Sequence, residues 1–309
     1  ESINLAIKGF AFANKDCGNH IITTAVEHHA VLGTCKWLES QGFDVTYLPV
    51  DFEGNVNAEQ VKAAITDKTI LVSVMYANNE IGTIMPIMDI SRVCQEKSVA
   101  LHTDACQCVG VLELRNLGVD MLTINASKMY GPKGIACLYV KRGVKLTPQI
   151  HGGEQEFNRR AGTQNVPGVI GFAKAIEIAE EKRVAESARL CVLRDQLIDG
   201  LSAVSDVKLN GPRDKRLPNN VNISVRGIES ATLLSALGEE GISASSGSAC
   251  RSVALEPSHV IKAIGRRPDF ALGSIRLTLG RSTASDDIQK VIDVFSRRVE
   301  QLRSLVRAR

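Results

Sequence analysis

Apolar residues recur along the first 140 positions in short runs rather than in one long stretch. Six of these runs predict strands: His20–Thr24, Val45–Pro49, Thr69–Tyr76, Val99–Thr103, Met121–Ile124 and Ile135–Val140. Between them, residues at about 29–41, 57–65 and 86–97 carry the 3.6-residue spacing of amphipathic helices. Strands this apolar, separated by helices, predict a mostly parallel sheet covered on both faces. Right-handed crossovers then set the strand carboxyl ends on one side, where open α/β sheets bind ligands.

Further along, a helical pattern without an internal proline runs from about Val169 to Val204 and predicts a bridge to a second lobe. Short strands at Val221–Val225 and Ile275–Leu279 mix with helices there, an α+β pattern. Ile288, Ile292, Phe295, Val299, Leu302 and Val306 form one apolar stripe on the last helix. Arg297, Arg298, Arg303 and Arg307 lie off it and read as a solvated face. The expected division is a large domain over residues 1–180 and a smaller one over 181–309.

Composition narrows the function. Lys and Arg total 37 against 34 Asp and Glu, a net +3 with mixed signs, so no concentrated basic face for nucleic acid is expected. Hydrophobic residues at 44% and charged residues at 23% describe an ordinary globular protein. No apolar run approaches the ~20 residues of a membrane helix. Eight cysteines occur without a C-x-x-C pair, which argues against a disulfide framework or metal site and for a reducing cytoplasm. The segment Glu1–Gly9 reads as the middle of an amphipathic helix and lacks the apolar core of a signal peptide.

The chemistry concentrates at the ends of the predicted strands. Asp104 closes one strand, followed by Ala105-Cys106-Gln107. Lys128, in Ser127-Lys128-Met129-Tyr130-Gly131-Pro132-Lys133-Gly134, follows the next, and Asn78-Asn79-Glu80-Ile81-Gly82 follows a third. A lone lysine beside a glycine turn is ordinarily a surface residue. An aspartate ending a neighbouring strand changes that reading. A pyridoxal cofactor needs a lysine for its aldehyde and a carboxylate to keep its ring nitrogen protonated. In the second lobe, Ser245-Ser246-Gly247-Ser248-Ala249-Cys250 sets one cysteine in a small-residue stretch where a thiolate is accessible. The other seven cysteines read as small hydrophobes.

From residue 1 to about 305 the chain resembles the pyridoxal-phosphate-dependent cysteine desulfurases that supply sulfur for iron–sulfur clusters. The matching stretches include Thr24-Ala25-Val26-Glu27-His28, Asn78 to Gly82 and His102 to Gln107. They continue through Lys128 to Gly134, His151-Gly152-Gly153, Arg160-Ala161-Gly162-Thr163, Ser245 to Cys250, Leu255-Glu256-Pro257-Ser258 and Ser274-Ile275-Arg276. The resemblance implies the α/β architecture of a fold-type-I enzyme binding pyridoxal 5'-phosphate, with the cysteine loop in the smaller domain. It implies that Lys128 takes the cofactor aldehyde and Asp104 its ring nitrogen. His28 would stack on the ring and help move protons, while Gln107 and Asn79 would contact the ring hydroxyl and the substrate side. Arg276 would take the substrate carboxylate through its planar fork, and Thr163 would reach a neighbouring subunit's cofactor phosphate, making a homodimer necessary. Cys250 would receive sulfur from L-cysteine as a persulfide, leave L-alanine, and pass the sulfur to an iron–sulfur scaffold or a tRNA-thiolation protein. No metal, direct nucleic-acid or membrane partner is implied. A selenocysteine-lyase-like enzyme and a non-catalytic partner-binding remnant are the alternative readings.

The chain also departs from the family pattern. Asn125-Ala126-Ser127-Lys128 stands where the family has Ser-x-His-Lys, so Asn125 and Ser127 replace a serine and a phosphate-holding histidine with other hydrogen-bonding groups. Glu154 stands in a Gly-Gly-Gly turn near the expected phosphate. The family's upstream glycine–threonine turn, which cradles phosphate at a helix N-terminus, precedes the point at which this sequence starts, so an N-terminal part is expected to be missing.

Overall fold

A computed structural model describes residues 1–247 and 256–307. Six strands form the first sheet: β1 His20–Thr24, β2 Asp44–Leu48, β3 Thr69–Ser73, β4 Ala100–Asp104, β5 Met121–Asn125 and β6 Ala136–Val140, in the order β2-β1-β3-β4-β5-β6. Every position of β1 and β3 is buried, because helices such as His29–Glu39 and Ile87–Glu96 leave neither face of the sheet to water. Strands β1 to β5 run parallel, whereas β6 runs antiparallel to β5 with Asn125 opposite Ala136. The link between them is too short for a helical crossover, so the chain turns back. The strand order reverses at β1, and at such a reversal the carboxyl ends of neighbouring strands open a crevice.

Two compact units result. The first contains 1–49, 56–78 and 85–183; the second contains 50–55, 79–84 and 184–309. The boundary falls inside the long helix Val166–Ser202, and two short pieces of the N-terminal half join the second unit. The first core is built around Ile7, Ile21, Val31, Leu38, Leu71 and Met121.

The second unit holds an antiparallel sheet of β7 Val207–Leu209, β8 Asn220–Val225 and β9 Ser274–Thr278. Its core gathers Leu201, Ile223, Ile275, Phe295 and Val299. On the helix Ser285–Arg307 the stripe residues Ile288, Phe295 and Val299 are buried, as the spacing predicts. Arg298 is less solvated than its position suggested: it bonds Glu240 at 2.7 Å, and Arg297 reaches the same carboxylate at 3.0 Å. At Gly273 an added Cβ would lie 2.1 Å from the Val225 carbonyl oxygen and 2.5 Å from that of Ile228. Both obstacles are backbone. Gly273→Ala is expected to cost roughly 3 kcal/mol or more, the upper range for overpacking, measured by urea unfolding.

Candidate active site

The first unit gathers its candidate chemistry at the carboxyl ends of β1, β4 and β5. Their alignment comes from a buried polar seam. His102 on β4 bonds Ser73 Oγ on β3 at 2.9 Å and Thr123 Oγ1 on β5 at 3.0 Å. Burial pushes its pKa down to about 3, so the imidazole is neutral and serves as a stitch rather than a titrating group. Thr103 Oγ1 donates to the Val74 carbonyl at 2.8 Å and completes the seam.

Asp104 stands at the end of β4, 7% exposed, its Oδ1 accepting from the Cys106 backbone N–H at 3.0 Å. Among the described residues no Lys, Arg or His forms an ion pair with it, an unusual state for a buried carboxylate. Cys106 is half-buried beside it. Burial raises that thiol's pKa and the Asp104 charge raises it further, so Cys106 stays protonated.

Lys128 closes the short turn Ala126–Lys128 that follows β5, and its side chain is exposed. The turn is held from below. Gly131 N–H donates to Ala126 O at 3.0 Å, and an added Cβ at Gly131 would meet Ala126 and Ala175 side chains at 3.0 and 2.9 Å. The close approach explains the glycine. Asn125 is half-buried and its Oδ1 accepts from Ser127 Oγ at 3.3 Å, so the two family-departing residues bond each other.

His28 is the N-cap of the helix His29–Glu39; its Nδ1 accepts from Ala30 N–H at 3.1 Å. The neutral ring therefore carries its proton on Nε2. Burial lowers its pKa, opposed by the Asp104 charge and aided by His29 and Lys128. His28, Asp104 and Lys128 are thus one electrostatic cluster, although separate strands deliver them. Gln107, half-buried, lies in the same turn as Asp104 and Cys106.

Glu27, quoted only within the stretch that ends in His28, carries no role in the sequence analysis. It is fully buried, its Oε1 accepting from Thr24 Oγ1 at 2.8 Å and Met75 N–H at 3.0 Å. Burial raises its pKa to about 8 against both hydrogen bonds, with a further push from Asp104. At neutral pH it is mostly the uncharged acid. The signal was its place in an apolar turn after a wholly buried strand.

Thr163 is exposed, in the irregular stretch after Gly162 that precedes the helix from Val166. Glu154 leads into Gln155–Asn158, where Glu156, Phe157 and Asn158 all take positive φ, a left-handed turn made without glycine. Cys17 and Cys137, read as small hydrophobes, are exposed.

In the second unit Arg276, on β9, donates from Nη1 to the Asn79 carbonyl at 2.7 Å. Its Nε is buried and, among the described residues, has no hydrogen-bond partner. An unspent buried N–H on an anchored guanidinium suits a carboxylate. Glu80 and Ser258, which the sequence reading quoted only within motifs, bond each other in the same unit at 2.5 Å. Cys250 lies outside the described residues.

The donor set fits a pyridoxal cofactor at both reactive ends. Buried Asp104 lacks a cation that a protonated ring nitrogen would supply, and Lys128, exposed, forms no ion pair among the described residues. Ser127 and Asn125 offer hydrogen-bonding groups beside that amine. Among the described residues no His, Cys, Asp and Glu group has the arrangement of a metal site, and no helix is long and apolar enough to cross a membrane.

A family profile described as aminotransferase class-V covers residues 1–291. A protein of Clostridium botulinum (strain Hall) named cysteine desulfurase IscS is 52% identical over 99% of this chain and 78% of its own length. One of the same name from Methanosarcina thermophila is 49% identical over 99% of this chain and 76% of its own length. Among solved structures, a NifS-like protein superimposes with a TM-score of 0.88 at 37% identity, covering 98% of this chain and 80% of the other. A structure described as SspA in complex with cysteine gives 0.77 at 36% identity, covering 90% and 78%.

Proposed function

We propose, from the premise that the chain belongs to the aminotransferase class-V family, that it is a pyridoxal-phosphate-dependent cysteine desulfurase. The observation that carries this reading is the cluster of His28, Asp104 and Lys128 at the strand ends, with Asp104 buried and lacking an ion-pair partner among the described residues. The names of the similar proteins support the choice of L-cysteine as substrate.

The bound cofactor would supply an electron sink that makes the substrate's α C–H bond acidic. Lys128 would hold it through its aldehyde and Asp104 would keep its ring nitrogen protonated, with Gln107, Asn125 and Ser127 as polar contacts. Asn79 would contact the substrate side. Because Ala30 N–H occupies His28 Nδ1, His28 would move protons through Nε2. Arg276 would take the α-carboxylate on its free Nε side. The Cys250 thiolate would attack the substrate sulfur, forming the S–S bond as the C–S bond breaks; the electron pair stays on carbon, which a proton converts to L-alanine. The persulfide would then pass to an acceptor, an iron–sulfur scaffold or a tRNA-thiolation protein.

A homodimer with Thr163 at the neighbouring cofactor phosphate is supported by exposed apolar residues near it: Phe157 at 87%, Val166 at 59% and Ile170 at 65% exposure. The reducing cytoplasm is the proposed compartment, in keeping with seven unbridged cysteines among the described residues.

The test is product analysis. With added cofactor and L-cysteine, alanine and sulfide are expected in equal amounts when a thiol reductant is present. Borohydride is expected to fix the cofactor on Lys128. Cys250→Ser is expected to keep the bound cofactor's absorbance yet release sulfide only at background. A label on another lysine, or full sulfide release by Cys250→Ser, would overturn the assignment.

A further inference from the structure

Glu80 is a buried acid that the mechanism above does not use. It is 3% exposed, in the short piece 79–84 that belongs to the second unit. Its main chain is fixed twice: Asn220 and Asn222 both donate through Nδ2 to its carbonyl, at 3.1 and 3.0 Å. Its carboxylate is therefore aimed by the backbone, and what it touches is specific.

Two things meet it. Ser258 Oγ donates to Oε2 at 2.5 Å while itself capping the helix His259–Ala263 by accepting from Val260 N–H at 3.1 Å. The Gly247 main chain packs close to the same oxygen: an added Cβ at Gly247 would lie 2.0 Å from Oε2 and 3.2 Å from the Ser258 Cβ, a space that only glycine leaves open. Gly247 and Ser258 flank in sequence the stretch that carries Cys250. Just before Gly247, Ser245 pairs with Arg276 in both directions, N–H to carbonyl at 3.0 and 2.6 Å. The Glu80 carboxylate thus bonds Ser258 and packs against Gly247, the described residues that flank in sequence the stretch carrying Cys250, and Ser245 beside Gly247 pairs with Arg276.

We propose that Glu80 is a positioning residue for sulfur transfer, one carboxylate oxygen holding Ser258 by a hydrogen bond and seating the Gly247 main chain against it. This rests on the desulfurase reading for its consequence, though the tie itself is independent of it. Burial raises the Glu80 pKa to about 7, opposed by the Ser258 hydrogen bond and the Arg276 charge, so the carboxylate is mostly ionised in an assay at pH 8.

The test compares wild type, Glu80→Gln and Ser258→Ala in two ways. Hydrogen exchange reads the tie without any chemistry. In both variants the amides of Ser245, Gly247 and Val260 are expected to exchange roughly tenfold to a hundredfold faster, the range for losing one charge-assisted hydrogen bond, with the β8 amides unchanged. Activity is then read on two substrates. L-Cysteine needs attack by Cys250, whereas β-chloro-L-alanine loses chloride without a thiol. Sulfide formation in Glu80→Gln is expected to fall about tenfold in kcat, with chloride loss within about twofold of wild type. Equal slowing of both substrates, or unchanged stem exchange, overturns the proposal. If wild type releases chloride but neither sulfide nor alanine, the desulfurase reading fails instead, and exchange still decides the tie.

Discussion

Asp104→Asn is expected to lower turnover of L-cysteine about 10³-fold, close to 4 kcal/mol, the scale of removing one preorganised electrostatic group from a dry site. Asparagine keeps the acceptor that Cys106 N–H uses at 3.0 Å, so the turn after β4 is retained and folding is little changed. What disappears is the buried negative charge. Without it, nothing among the described residues would keep the proposed cofactor's ring nitrogen protonated, and the acidity of the substrate α-carbon would fall. Two readings separate this from a packing defect. The His28 pKa, which the Asp104 charge raises against burial, is expected to drop further in the variant when followed by NMR. The Cys106 thiol, held up partly by the same charge, is expected to ionise more readily toward alkylating reagents. A variant with full turnover, or one in which neither neighbour shifts, would remove Asp104 from the role proposed for it.

Glu27→Gln is expected to make the protein more stable at alkaline pH and to leave it unchanged in acid. The folded pKa of Glu27, about 8, lies above the 4.5 of a free glutamate, so folding favours the protonated form. Its contribution is complete below pH 4.5 and is lost as pH rises through 8, by up to about 3 to 5 kcal/mol. Glutamine mimics the protonated acid, and its Oε1 accepts from Thr24 and Met75 as before. The difference between variant and wild type in urea unfolding is thus near zero at pH 4.5 and largest above pH 8.5. Glu80 adds a slope of the same sign between 4.5 and about 7 in both proteins, which the subtraction removes. Parallel stability curves across that range would mean that Glu27 is ionised at neutral pH. Because Glu27 lies in the field of Asp104, its neutrality also leaves Asp104 as the dominant anion beside the proposed cofactor.

Local pattern was enough for much of this. β3 centres on the apolar run Ile70-Leu71-Val72 and β1 on Ile21-Ile22, and every position of both is buried, as in a parallel sheet covered on both faces; β1 falls on the predicted His20–Thr24. The helix Ser285–Arg307 shows its stripe because periodicity of 3.6 is a property of neighbouring residues alone. Asp104 and Lys128 could be nominated because parallel strands separated by one crossover deliver their ends to the same side. The direction of β6 was less legible, since it depends on how short a link is rather than on the strand's own residues.

What no local pattern carries is who meets whom across a long separation, because a pKa or a tie depends on partners that folding alone brings together. Glu27 became a neutral acid through burial and the field of Asp104, 77 residues away, against the hydrogen bond from Met75, 48 residues away. Glu80 found Ser258 across 178 residues and Arg276 found Asn79 across 197. Charge, desolvation and hydrogen bonding act through space and fall off over a few ångströms, so the amino-acid order could nominate these side chains, but their protonation and their tasks were settled by packing.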